Sequence, residues 1–311
     1  MSILPFGRKS KKSNSSNGLG GVLDDFSIEV MPRTAEKIDD FRALLPKGTR
    51  VYIAHIDGTP IEDMVATAKR LAADGFEVMP HFPARIIADE AEFRDWIDRY
   101  RSEAGVSQAL VLGGSPTTPK GAFDSSIQLL ETGAFQDAGF TRLHVAGHPE
   151  GNRDIDPKGG SANVDAALRW KQAFASEAGV DMAIVTQFAF DGASVIDWAK
   201  GLRASGITLP IHLGVAGPAK LQTLIKFAIA CGVGPSLKVL QKRAGDVTRL
   251  LLPFEPDDLL ADVANATDAD GAPLFEQMHL FPLGGIRASS DYAARILSDG
   301  ADARAGARKG G

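Results

Sequence analysis

Glu29 stands in FSIEVMPRT, residues 26–34, between Ile28 and Val30. A carboxylate inside an apolar strand is costly unless it is paired or used. Apolar neighbours raise a carboxylic acid toward neutral pH, and an acid titrating near ambient pH is an efficient proton donor. Glu29 is therefore the candidate general acid, with a structural ion pair to Arg33 as the alternative reading. Other polar residues collect at the ends of apolar runs: His55 and Asp57, His81, Gly113-Gly114-Ser115, His148 and Glu150, Gln187, His212 with Gly214, and Arg287. The histidines lack the close spacing of a local metal motif, so no metal centre is expected. In the loop HPEGNRDIDPKGGSAN, residues 148–163, Gly159, Gly160, Lys158 and Arg153 precede a helix that starts near Ser161. Flexible backbone and positive charge beside a helix N-terminus predict an anion site, with phosphate or pyrophosphate the natural guest. Cys231 lies in an apolar helical stretch and reads as packing.

Eight β-like runs would have to position these groups: 26–31, 50–56, 76–82, 108–114, 142–147, 182–188, 209–215 and 277–283. Most are continuously apolar, as parallel strands covered on both faces are. Amphipathic helical stretches separate them, at 61–75, 89–105, 161–179 and 218–232. A further helical stretch, 236–270, is longer than one barrel helix and implies an extra element before the last strand. Eight strands alternating with helices predict an α/β fold, a single (β/α)8 TIM barrel over residues 24–299. A doubly wound open sheet is the alternative. The absence of G-x-G-x-x-G after the first run counts against a dinucleotide-binding version of that sheet. In a barrel, chemistry sits where the strands end, so the polar run-end residues would share one rim.

Composition narrows the class. The chain has 311 residues, 44% apolar and 23% charged, with net charge −5. No basic field argues for nucleic acid, and no apolar run reaches the ~20 residues of a membrane span. One cysteine excludes an intramolecular disulfide and suits a reducing cytoplasm. Residues 1–23 carry Arg8, Lys9, Lys11 and Lys12 before a Ser/Asn/Gly stretch and read as a disordered basic arm. Residues 300–311 read as a disordered tail.

The order of motifs resembles the methylenetetrahydrofolate reductase family, in its short bacterial form, from about residue 26 to about 295. FSIEVMPRT is similar to the family's opening strand with its catalytic Glu. VMPHF resembles the strand carrying a flavin-contacting His, and AGHPEGN the family's fifth-strand loop. SANVDAALRWK resembles the flavin-binding helix, TQFAFD the Thr-Gln-Phe-Phe-Phe-Asp run, and IHLGVAGPAKLQTLIKFA the next strand and helix. The resemblance implies a barrel that binds FAD, is reduced by NADH or NADPH, and delivers hydride to 5,10-methylenetetrahydrofolate. Glu29 would protonate N10 so that the 5-iminium cation can form. His81 would lie against the flavin, and Ala146, His148, Asp165 and Lys171 would hold its ribityl, ribose and phosphate portions. Gln187 would bond the pterin. Family members are commonly oligomeric, which makes a homo-oligomer the implied assembly.

Four positions depart from that pattern. Gly113-Gly114-Ser115 stands where the family has an Arg-Gly-Asp-like run, so a negative charge near the flavin and substrate is missing. Ala54-His55 replaces Thr-Tyr, Leu221 stands at a stacking aromatic, and Asn152 at a second loop histidine. With Arg287 after the last strand, these complete the expected cofactor and substrate surroundings. Two other activities fit the same residues: the flavin barrel working oxidatively on 5-methyltetrahydrofolate, and a flavin-free barrel that binds a pterin.

Overall fold

The structure, a computed structural model, describes residues 25–232, 238–241 and 253–309, with side chains up to residue 298. The basic arm 1–23 and, within the stretch 236–270, residues 236–237 and 242–252 lie outside the described residues. Eight parallel strands close into one barrel in chain order. They are β1 (Phe26–Val30), β2 (Arg50–Ile53), β3 (Glu77–Pro83), β4 (Gln108–Leu112), β5 (Arg142–Gly147), β6 (Ile184–Thr186), β7 (Ile211–Ala216) and β8 (Gln277–Phe281). Closure is made by β1 on β8, in the register Ser27 to His279. The sequence-based expectation of a (β/α)8 barrel is met, and the open sheet is excluded.

Strand alternation sorts the residues. Ile28, Val30, Val51, Ile53, Leu143, Val145, Leu213 and Leu280 face outward into one large apolar layer beneath the helices. Each such side chain, fully removed from water, contributes about 1.5–3 kcal/mol. The helix Ile61–Ala73 supplies Met64, Val65, Ala68 and Leu71 to this layer, and Glu90–Ala104 supplies Phe93, Trp96, Ile97 and Tyr100. Asp89 caps the latter through Glu92 N at 2.9 Å, and Gly105 ends it at φ 65°.

The inward face is unusual for such a barrel, whose interior is normally filled by branched aliphatics. One part is apolar, with Tyr52, Met79, Leu110 and Val185 packed together. The rest carries Ser27, Glu29, His81, His144, His212, Gln277 and His279. All of these are buried except Glu29, which is partly so. The C-terminal helix runs Ile286–Lys309, past residue 299 where the sequence reading ended the barrel. A short helix, Asp257–Val263, packs on the helix Gly192–Ala204 and supplies part of the extra element expected before β8.

Candidate active site at the barrel rim

Glu29 is the fourth residue of β1, and its side chain is 19% exposed at the C-terminal end of the barrel. Its Oε2 lies 3.3 Å from His81 Nε2 and 3.9 Å from His279 Nε2. Both imidazole nitrogens are buried, and neither has a partner in hydrogen-bond geometry. The ion pair with Arg33 is not formed, and Arg33 is exposed. Behind the carboxylate, His279 Nδ1 and Ser27 Oγ are hydrogen-bonded at 2.9 Å. Tyr52 packs edge-on against His279, with ring centroids 4.5 Å apart.

This arrangement corrects the expected ionisation of Glu29. Burial raises its carboxyl, as the apolar neighbours suggested. The imidazoles of His279 and His81 outweigh burial, and the carboxyl falls to about 2. Glu29 is therefore an ionised carboxylate at rest, and it can donate a proton only after receiving one.

On β5, Ala146 shares the inward parity of His144, and His148 follows at the rim. His148 is depressed to about 4, first by burial and then by the charge of Lys171. Lys171, on the helix Ala162–Ala178, is buried, and burial lowers its ammonium to about 8. No carboxylate among the described residues pairs with it. A buried cation without a counterion beside a rim histidine is suited to an anionic group. The phosphate portion of a dinucleotide fits this donor set.

The glycine-rich loop does not form the anion cradle expected of it. Asp156 already occupies the N-terminus of the helix Ala162–Ala178, accepting from Asn163 N at 3.0 Å and Val164 N at 3.1 Å. Asp165 is bonded locally by Ser161 Oγ at 2.9 Å. The Asn152 side-chain oxygen accepts from Asp154 N at 2.9 Å and is spent inside the loop. Among the described residues Lys171, unlike Asp156, Asp165 and Asn152, has no side-chain hydrogen bond or ion pair.

Several remaining expectations change place. His55 falls on the outward face with Val51 and Ile53, its ring against Trp96 at 4.7 Å and its Nε2 within 3.0 Å of Thr59 O. It belongs to the helix layer, and Ala54 takes the inward position. His212 is the second residue of β7, hence at the opposite end of the barrel, where its Nε2 meets Glu276 at 2.9 Å. Leu221 is buried in an apolar cluster with Phe188, Phe190 and Phe254. Cys231 is exposed at the end of the helix Leu221–Ala230 and is not core packing.

Gln187 follows β6, and its Nε2 donates to Cys231 O at 3.3 Å. The strand beside it approaches closely at Gly214, where a Cβ would lie 2.3 Å from Thr186 O. Gly113, Gly114 and Ser115 follow β4, with Gly114 at φ 96° and Ser115 exposed. Arg85, after β3, stitches this side of the rim. Its backbone N donates to Gly113 O at 2.9 Å, its Nε to Asp124 Oδ1 at 3.0 Å, and its Nη1 to Asp154. Arg287 is exposed in the first turn of the C-terminal helix.

No protein-family model matches the chain. Among solved structures it is similar to a mandelate racemase/muconate lactonizing enzyme from Bordetella bronchiseptica RB50, at 13% identity and TM-score 0.41 over 89% of this chain. The chain spans 59% of the length of that protein. It is also similar to Yersinia pestis DHPS with a pterine-sulfa conjugate, at 12% identity and TM-score 0.45 over 92% of this chain and 96% of that one. The 7,8-dihydropteroate synthase from Vibrio fischeri ES114 matches at 10% identity and TM-score 0.44, over 89% and 94%. Likeness at this level carries no argument about activity, and the barrel rests on the strand pairing itself. Among the described residues no helix is long and apolar enough to cross a membrane.

The sequence reading missed Ser27, Tyr52 and His279, on the inner side of Glu29, and His144, which is bonded to Tyr52. Strand parity was the available signal. Ser27 lies two residues before Glu29 and therefore shares its face, and β1 pairs Ser27 with His279.

Proposed function

We propose that the chain is a flavin-dependent oxidoreductase of the methylenetetrahydrofolate reductase type. It would use NADH or NADPH to reduce 5,10-methylenetetrahydrofolate to 5-methyltetrahydrofolate. The observation that carries this reading is one carboxylate, Glu29, held at the barrel rim between two imidazoles whose Nε2 atoms lack hydrogen-bond partners. FAD, when bound, supplies hydride transfer. Lys171 would hold its phosphate portion, with His148 and Ala146 beside it and His81 toward its ring.

The residues of the chain handle the proton. Opening the methylene bridge of the substrate needs a proton at N10, and Glu29 is the group at the rim able to pass one. His81 and His279 keep the carboxyl ionised until a proton arrives, and they orient it through Oε2. Gln187 would turn its amide from Cys231 O to the pterin edge.

The low value of Glu29 also favours a second reading, the same barrel working oxidatively. Ring closure from 5-methyltetrahydrofolate requires a base for the N10 proton, and an ionised carboxylate is that base.

The experiment is a spectrum of freshly purified protein, followed by separate half-reactions. A flavin spectrum, taken up from added FAD if needed, and reduction by NAD(P)H with reoxidation by menadione are expected. Glu29→Gln should abolish folate turnover and spare flavin reduction. Protein that stays colourless with added FAD overturns the reading.

A further inference from the structure

A second opening lies at the N-terminal end of the barrel, away from the rim. A cavity of about 790 Å³ is walled by the starts of β2, β5, β7 and β8 and by the end of the helix Ala162–Ala178. Its size falls within the range of small-molecule sites, about 300–1,000 Å³. Gln277, on the inward face of β8, lines it and is 6% exposed. Among the described residues nothing bonds the Gln277 amide, and neither of its polar atoms is enclosed. His144, 2% exposed, lines the same cavity. Its Nδ1 lies 2.6 Å from Tyr52 Oη, the one hydrogen bond of that phenol among the described residues. Burial keeps Tyr52 protonated and His144 neutral. A buried hydroxyl that donates nowhere is costly, so the phenol donates to Nδ1 and the imidazole proton sits on Nε2. That Nε2–H has no acceptor among the described residues and, unlike His212 Nδ1, is not enclosed. His212 stands between the two groups. Its ring is edge-on to His144 at 4.9 Å, and it is the register partner of Gln277 across β7 and β8.

The charges in the wall are already answered. Arg50 meets Glu77 at 2.6 Å, Arg142 meets Asp181 at 3.3 Å, and His212 Nε2 meets Glu276 at 2.9 Å. Asp25 accepts from Phe26 N at 2.8 Å. The unspent groups are neutral: the carboxamide of Gln277, which both donates and accepts, and the Nε2–H of His144. Beside them Val180, Met182 and Leu209 offer an apolar wall. A buried amide without a partner costs stability, and a barrel interior is normally filled by branched aliphatics, so packing does not account for Gln277. We propose that this cavity binds a small uncharged molecule with a lactam edge, a ring C=O beside an N–H, and an apolar flank. The ring N–H donates to Gln277 Oε1. The ring C=O accepts from Gln277 Nε2 or from His144 Nε2. The flank lies against Val180, Met182 and Leu209. The site is separate from the rim and needs neither flavin nor folate, so it stands or falls apart from the proposed function.

The test uses theobromine, whose N1–H lies between two ring carbonyls, and caffeine, the same molecule with that nitrogen methylated. By NMR on the full chain, millimolar theobromine should shift the Gln277 side-chain amide and the His144 ring resonances, and the shifts should saturate. Caffeine should bind at least tenfold more weakly. Gln277→Leu should also weaken theobromine at least tenfold. The theobromine–caffeine pair is read on wild-type protein, so the test holds even where the variant fails to fold. Absence of shifts at the two residues, equal binding of the two xanthines, or wild-type affinity for theobromine in Gln277→Leu overturns the site.

Discussion

Glu29 and His81 meet across the end of the barrel, Oε2 to Nε2 at 3.3 Å, although β2 lies between their strands. Together with His279 this contact takes the Glu29 carboxyl from its ordinary 4.5 to about 2. A depressed carboxyl stabilises the fold above its unfolded value, and the contribution is lost as pH falls through the folded value. The difference is worth about 3 kcal/mol. Urea unfolding between pH 5 and pH 2.5 should show wild type losing stability more steeply than Glu29→Gln. Parallel curves would contradict the pairing.

His81→Phe should remove one of the two imidazoles and move Glu29 upward. The pH profile of the folate half-reaction should shift its carboxyl limb to higher pH than in wild type. An unmoved limb would show that His81 does not act on the carboxyl.

Lys171→Met should separate stability from cofactor binding. A lysine lowered to about 8 from 10.5 weakens the fold at neutral pH, by about 3 kcal/mol. The variant should be more stable than wild type without ligand, by thermal unfolding at pH 7, and should bind FAD at least tenfold more weakly. Unchanged FAD affinity would place the phosphate elsewhere.

His55→Asn tests the parity of β2. The ring packs on Trp96 and bonds Thr59 O, so its loss should lower the melting temperature, at a cost of about 1–2 kcal/mol. FAD affinity and both half-reactions should stay within twofold of wild type. A large loss of FAD binding would return His55 to the site.

Gly214→Ala should be costly because its Cβ would lie 2.3 Å from Thr186 O, a backbone atom that cannot rotate away. A destabilisation of about 2 kcal/mol or more is expected in denaturant titration, with weaker folate binding through displaced Gln187. A neutral substitution would show that β6 and β7 are further apart.

The eight strands were legible because parallel strands covered on both faces read as unbroken apolar runs. The runs overshot where polar rim residues follow, so 50–56 shrank to Arg50–Ile53 and 108–114 to Gln108–Leu112. Glu29 was legible as an anomaly within an apolar strand. Its ionisation was not, because His81 and His279 are distant in sequence and only barrel closure brings them to it. His144, Tyr52 and Ser27 hid inside the runs, where a single inward polar residue looks like ordinary strand sequence. The loop 148–163 misled because Asp156, within the loop itself, fills the helix terminus that the glycines appeared to leave open.

Arg85 joins the loops that follow β3, β4 and β5. Three of the eight strand-end loops are therefore tied into one unit by a single arginine. The rim therefore has a sidedness among the described residues: the loops after β3, β4 and β5 are cross-tied through Arg85, whereas Gln187, after β6, reaches with its side chain to Cys231 O at the end of the helix Leu221–Ala230.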